Sequence, residues 1–210
     1  MQTNLLNPLG PRIVLASRSA RRRELLTLVG AHFDCFPVDL DETPLPSERA
    51  EAHVLRLAEA KARAALDAGA LGSLAEQAVL LGADTVVTID REILGKPVAP
   101  EHAARMLARL SGRVHEVWTG LSLVHSMDGR AVTQAVRSIV KLSRLDGPEI
   151  ERYIATGEPL DKAGAYAVQG QGALYVEAIE GSYSNVVGLP LSHLKHALKL
   201  LLAVPEGREV

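Results

Sequence analysis

The sequence predicts an α/β protein whose twisted sheet is mixed, partly parallel and partly antiparallel, with helices packed against it. Three observations lead there. Short apolar, β-branched runs alternate with helix-periodic segments through the first half of the chain. Two long strand-like runs then flank Met127-Asp-Gly129 as a hairpin, which brings antiparallel pairing into the sheet. Finally, 47% of the 210 residues are hydrophobic but only 3% are aromatic, so Leu, Val, Ala and Ile must fill the core. A chain of this length forms one well-filled core or two small lobes sharing a cleft, and residues 1–210 are read as a single domain.

Residues 12–17 (Arg-Ile-Val-Leu-Ala-Ser) form a short apolar run, the pattern of a buried strand, and a helix-like segment follows at once and ends at Gly30. Residues 32–40 read as a second strand. Pro44, Pro46 and Ser47 open a long Ala-rich helix that reaches about Gly69, with Val54, Leu57, Ala58 and Ala62 on its apolar face. After a glycine-containing connection, residues 79–89 supply a β-branched strand interrupted by Asp84, and Asp90-Arg91 turns the chain. Pro100 suits the first position of a helix that runs to about Leu110. Residues 114–124 and 131–142 are the hairpin strands. Gly147-Pro148 begins a helix stopped near Gly157, and an amphipathic helix follows Pro190, with Leu191, Leu194, Leu198 and Leu201 at helical spacing. Residues 205–210 are expected to fray. No repeat, low-complexity tract or linker interrupts the chain.

The charge balance narrows the function. Lys and Arg total 23 against 25 Asp and Glu, a formal charge of −2, so no global basic field exists for nucleic acid and any anion must be bound locally. The low aromatic content disfavours a stacking platform for single strands. A lone cysteine, Cys35, excludes an intramolecular disulfide, and its neighbours Phe33 and Phe36 predict a buried thiol. The first residues carry no basic run, and no apolar stretch approaches the ~20 residues of a membrane span, so neither secretion nor membrane insertion is expected and the cytoplasm is the natural compartment.

Four stretches could carry chemistry. In Ser17-Arg-Ser-Ala-Arg-Arg-Arg-Glu-Leu-Leu26, a strand end meets a helix N-terminus whose free amides, hydroxyls (Ser17, Ser19) and forked arginines (Arg21, Arg22) suit phosphate oxygens. Read plainly, the same stretch is an N-cap serine with solvated arginines, and the two readings can coexist. Asp84 in Gly82-Ala-Asp-Thr-Val-Val87 is a carboxylate among apolar neighbours, costly to bury unpaired. It should meet a metal, a Lys or an Arg, where it could orient or deprotonate a water, or else merely close a turn. Residues 161–173 (Asp-Lys-Ala-Gly-Ala-Tyr-Ala-Val-Gln-Gly-Gln-Gly-Ala) read as a binding segment. Gly164, Gly170 and Gly172 permit positive φ and close approach of main chain to a ligand, while Asp161, Lys162 and Gln169 offer charge and an amide edge fit for a nucleobase. Of the scattered charges (Asp41, Glu42, Lys61, Lys96), Lys96 is held between Gly95 and Pro97 in an extended loop that presents its amine. His115, on one strand face with Val117 and Thr119, reads as a hydrogen-bonded structural residue. No His or Cys pair stands at zinc-ligand spacing, and neither a P-loop nor a dinucleotide-binding glycine motif occurs.

Taken in order, residues 17–26, Gly82-Ala-Asp-Thr-Val-Val87, Gly95-Lys-Pro97, 111–120 and 158–191 closely resemble the Maf family of nucleoside triphosphate pyrophosphatases, and the resemblance spans nearly the whole chain. Thr85 after the aspartate, and Tyr-x-x-Gln-Gly ahead of Asn185-Val-Val-Gly-Leu-Pro190, resemble the subgroup acting on dTTP and UTP. The resemblance implies two lobes around a cleft, as in the related inosine-triphosphate pyrophosphatases. It also implies cleavage between the α- and β-phosphates with Mg²⁺ or Mn²⁺. Asp84 would activate water, and Arg21, Thr85 and Gln169 would select the base. Glu42 would share the metal with Asp84, Lys61 and Lys96 would hold phosphate, and Ser17, Ser19 and Arg22 would complete the anion loop. A homodimer is a family-level expectation. Two alternatives stay open: the same chemistry on 7-methyl-GTP or CTP, and a non-catalytic nucleotide-binding regulator of cell division. One departure stands out, since Ala20 occupies the position where the family carries Pro.

Overall fold

The computed structural model describes residues 6, 10–69 and 78–203. The expected fraying of residues 205–210 and the connection before residue 78 lie outside them. Along the chain run β1 (Arg12–Leu15), α1 (Ala20–Leu28), β2 (Phe33–Cys35), α2 (Ala50–Asp67), β3 (Ala78–Ile89), β4 (Glu92–Leu94), α3 (Pro100–Leu110), β5 (Val114–His125), β6 (Ala131–Leu142), α4 (Gly147–Ala155), β7 (Val176–Glu180), α5 (Tyr183–Val187) and α6 (Leu191–Leu202). The strands form one seven-stranded sheet in the order β2-β1-β3-β5-β6-β7, with β4 on the edge of β3. β1 pairs in parallel with β2 and β3, and the remaining pairs are antiparallel, so the sheet is mixed as predicted.

Alternation along β3 sends its side chains to two different environments. Ala78, Leu80, Gly82 and Asp84 face α2, which covers that side of the sheet through Ala62 and Ala65. On the other face the core is split in two. Val79, Leu81 and Ala83 pack with α1 and α6 through Leu25, Leu26, Leu194 and Leu198, whereas Val87 and Ile89 pack with α3 and α4 through Met106, Leu107 and Ile150. Thr85 and its cross-strand partner Thr119 lie between these two apolar lobes.

Three differences from the sequence reading have local causes. The predicted strand over 32–40 is only Phe33–Cys35, because β1 ends at Leu15, opposite Cys35, and Pro37 has no N–H to donate. The Ala-rich helix begins at Ala50 rather than near Pro44, since Ser47 adopts φ +59° and breaks helical geometry. The Cys35 thiol is exposed, not buried. It ends a short edge strand where the neighbouring side chains, not the thiol, find core: Phe33 joins one cluster and Phe36 another.

His115 is structural, as read. Its Nε2 lies 2.7 Å from the Tyr166 hydroxyl, and burial pulls its pKa down to about 4. The folded protein therefore keeps His115 neutral where the unfolded chain, near 6.5, takes a proton. As pH falls from 6.5 to 4 this residue is expected to withdraw about 1.4 kcal/mol of stability per pH unit, on the order of 3 kcal/mol in all, and nothing above 6.5. Urea unfolding of wild type and His115→Gln across pH 4 to 8 checks it: the difference between the two proteins should change only below 6.5.

Candidate active site

β3 is bordered by β1 up to Leu81 and by β4 from Val87 onward, so residues 82–86 have β5 on one edge and, among the described residues, no strand on the other. A cleft of about 830 Å³ opens at this gap. Asp84 and Thr85 point to opposite sheet faces yet both line it, because the missing strand exposes both sides of the β3 edge. The cleft also draws on the β1–α1 turn, the loop after β2, α2, the loop after β4 and the segments after α4 and α5.

On the α2 side, Lys61 joins two carboxylates. Its Nζ lies 2.7 Å from Asp84 Oδ1 and 2.5 Å from Glu42 Oε1. The Lys61 and Asp84 side chains are 8% and 9% exposed, while Glu42 sits at the rim with half its surface free. Asp84 thus meets a lysine, one of the partners its burial demands. His53 backs this group, with Nε2 3.8 Å from Asp84 Oδ2 and Nδ1 3.0 Å from Glu48 Oε2. Glu48 accepts a forked pair of bonds from Arg56, both 2.7 Å, and these hold its pKa down at about 2.

On the opposite face a chain of hydroxyls forms the floor between the lobes. Arg22 is buried and donates from Nε to the Gly188 carbonyl (2.8 Å), from Nη1 to Ser17 Oγ (3.0 Å) and from Nη2 to Thr85 Oγ1 (3.1 Å). Burial lowers its pKa, against the opposing pull of Asp84 and Glu42. Thr119 donates to the Asn185 carbonyl (3.0 Å), which leaves Thr85 as the donor in the 2.9 Å contact between the two threonines. With its proton committed and one lone pair taken by Arg22, Thr85 can offer a ligand only an acceptor and its methyl group. Ser19 caps α1 by accepting from the Arg22 amide, and its own amide donates to Ser17 Oγ (3.2 Å). The N-cap reading of this stretch and a place in the cleft therefore coexist.

The sequence profile of the family described as Maf-like protein matches residues 12–201. The chain belongs to that family. Among its curated relatives, the dTTP/UTP pyrophosphatase of Geobacter sp. (strain M21) is 51% identical over 192 residues, covering 91% of this chain and 96% of that one. The dTTP/UTP pyrophosphatase of Citrifermentans bemidjiense is 50% identical over the same shares. A solved nucleoside-triphosphatase (dITP/XTP pyrophosphatase) from Mycobacterium abscessus is 18% identical, with a TM-score of 0.34 over 64% of this chain and 74% of that one, a likeness too remote to bear on the site.

In this Maf-like protein all ten residues to which the resemblance gives a role line one cleft: Ser17, Ser19, Arg21, Arg22, Glu42, Lys61, Asp84, Thr85, Lys96 and Gln169; Asp41 does not. Arg21 faces Asp161 across it at 3.8 Å. Lys96 is exposed and makes no ion pair among the described residues. Arg22 differs from the expectation in kind, because three of its donors are already bonded to protein atoms. The glycines of the 161–173 segment also differ. An added Cβ at Gly164, Gly170 or Gly172 would strike Val87, Glu158 or Tyr153, so these positions bring main chain close to protein rather than to a ligand. His53, Glu48 and Arg56 carry no role in the sequence reading: His53 and Arg56 are three apart on α2, but Glu48 lies in the loop before it and meets them only in the fold.

Ala20 is the first residue of α1 and is exposed. Ala20→Pro should raise stability by ~0.5–1 kcal/mol by presetting φ where no N–H bond is lost. A rise in the urea midpoint with unchanged slope would check it.

Proposed function

We propose that this protein is a nucleoside triphosphate pyrophosphatase that hydrolyses dTTP and UTP, and modified pyrimidine analogues, to the monophosphate and pyrophosphate in the cytoplasm. The observation that carries the reading is the buried Asp84–Lys61 pair at the open edge of β3, met from the rim by Glu42 and set in a cleft whose other wall carries Ser17, Ser19 and Arg21. The names of the half-identical relatives agree with it.

The donor set suits a hard divalent cation. Among the described residues no group of three or more His, Cys, Asp or Glu is placed to hold an ion, but Mg²⁺ characteristically takes one or two carboxylates and completes its shell with water and substrate phosphate. Glu42 and Asp84, already converging on one cation at Lys61 Nζ, would be those ligands. Bound there, Mg²⁺ or Mn²⁺ would offset charge on the phosphate oxygens. The remaining steps belong to the chain. Asp84 Oδ2 accepts the proton of a water that attacks the α-phosphorus, the bond from that phosphorus to the bridging oxygen breaks, and pyrophosphate departs with the electron pair. Lys61, Lys96 and Arg21 neutralise the charge that develops on the leaving group. Thr85, as an acceptor, and Gln169, through its amide edge, meet the base; a pyrimidine that presents an N–H between two carbonyls complements both.

The test is purified protein with Mg²⁺ or Mn²⁺ and a panel of canonical and modified nucleoside triphosphates, with pyrophosphate and orthophosphate measured separately. Pyrophosphate released fastest from dTTP or UTP is the expected result. Pyrophosphate mainly from 7-methyl-GTP or CTP would keep the chemistry and overturn the base assignment. Binding without product would favour the regulator.

A further inference from the structure

The segment that carries Gln169 is held by two side chains that do not line the cleft. Tyr153, in the last turn of α4, is 2% exposed, and its hydroxyl accepts from the Ala167 amide (3.1 Å) while donating to Glu158 Oε1 (2.8 Å). Glu158 Oε1 also accepts from the Gly172 amide (2.9 Å), and Oε2 accepts from the Gln171 amide (3.0 Å). Three backbone donors, two residues before Gln169 and two and three after it, are thus satisfied by one tyrosine and one carboxylate from a different part of the chain. The fit is tight. A Cβ on Gly170, which sits at φ +74°, would lie 2.4 Å from Glu158 Oε2, and one on Gly172 would lie 2.3 Å from the Tyr153 hydroxyl. The charges agree with the bonds. Hydrogen bonding overcomes burial to keep Glu158 below its ordinary pKa, and burial beside that carboxylate raises Tyr153, so acceptor and donor keep their roles across the working pH range.

The Gln169 side chain itself bonds to no protein atom among the described residues, so its backbone alone aims it. We infer that Tyr153 and Glu158 are positioning residues for base selectivity: they clamp the 167–172 segment so that Gln169 presents its amide to the base in one orientation. This rests on the pyrophosphatase reading above. Asp84 and Lys61 stand on β3 and α2, outside the clamp, so loosening it should damage discrimination and KM far more than kcat.

The experiment measures kcat and KM for UTP and for ITP with Mg²⁺ in wild type, Tyr153→Phe, Glu158→Gln, Gln169→Ala and the double variant Tyr153→Phe/Gln169→Ala, with thermal unfolding of each. Tyr153→Phe strips one bond from the Ala167 amide and one from Glu158, and the ratio of kcat/KM for UTP over ITP should fall about tenfold while kcat stays within about threefold. In the Gln169→Ala background the same change should leave the ratio where Gln169→Ala alone puts it. A folded Tyr153→Phe enzyme with wild-type selectivity overturns the clamp, as does a full Tyr153→Phe effect in the absence of Gln169. If Gln169→Ala leaves selectivity intact, the role given to Gln169 falls, and the clamp's route falls with it. If wild type turns over no nucleotide, the pyrophosphatase reading itself fails. Should Glu158→Gln not fold, Tyr153→Phe alone carries the test.

Discussion

Asp84→Asn is expected to lower the rate of pyrophosphate release by about 10²- to 10⁴-fold while leaving nucleotide binding largely intact. The amide nearly matches the carboxylate in shape, so the walls of the cleft stay in place, but it cannot accept the proton of the attacking water. It also removes one of the two carboxylates that meet at Lys61 Nζ, 2.7 Å from Asp84 and 2.5 Å from Glu42. Glu42 remains to partner the buried lysine, which keeps the loss of stability below the 3–5 kcal/mol typical of orphaning a buried charge. Single-turnover release of pyrophosphate from UTP, with calorimetric binding of a non-hydrolysable analogue, gives both numbers. Retained turnover would remove Asp84 from the role of base. Loss of binding together with turnover would mean that the carboxylate acts in holding the triphosphate.

Gly120→Ala and Gly82→Ala should each destabilise the fold by about 3 kcal/mol or more and depress activity through the same movement. Both glycines lie under α2. A Cβ at Gly120 would come 2.0 Å from the Val54 carbonyl oxygen, and one at Gly82 would come 2.0 Å from that of Ala58 and 2.7 Å from the Ala62 nitrogen. These neighbours are backbone and cannot swing aside, so one methyl must lift the helix from the sheet. α2 also carries His53 and Lys61, so the lift draws Lys61 away from Asp84. Gly147→Ala is the control, since a Cβ there meets nothing within 4 Å; it should change stability by no more than about 0.5–1 kcal/mol. Urea unfolding of the three variants decides the matter. A loss below about 1 kcal/mol at Gly120 would show that α2 can ride outward cheaply and that its closeness to the sheet is not what sets the Lys61–Asp84 contact.

Much of this architecture was legible from local chemistry. α3 runs from Pro100 to Leu110 as its N-terminal proline and apolar spacing predict, and the β5–β6 hairpin turns at Met127-Asp-Gly129 where its turn residues stand. β4 and β7, three and five residues long, went unread, because a short strand is defined by the partner it pairs with and not by its own sequence. Within the cleft, the residues legible in advance were those whose type is costly without a purpose: a carboxylate in a β-branched run, a lysine between Gly and Pro, arginines at a helix start. Tyr153, Glu158, His53 and Glu48 were not legible. Tyrosine and histidine are ordinary on helices and glutamate in the loops beside them, and only their bonds to other backbone and side chains distinguish them.

The sequence by itself determined the alternating elements, the mixed sheet and the kinds of charge available, since strand alternation, helix period and turn residues act over a few neighbours. Only the tertiary structure decided that β1 pairs with β3 only as far as Leu81 and β4 only from Val87 onward, leaving β3 open between them, and that Lys61 reaches Asp84 from 23 residues away. Those outcomes depend on how closely a helix can lie against a sheet. That closeness is set by two missing side chains, Gly82 and Gly120, which stand 24 and 66 residues beyond the α2 carbonyls they meet, at Ala58 and at Val54. No local pattern in the sequence records such a meeting, because the energy that enforces it is steric contact between segments that become neighbours only on folding.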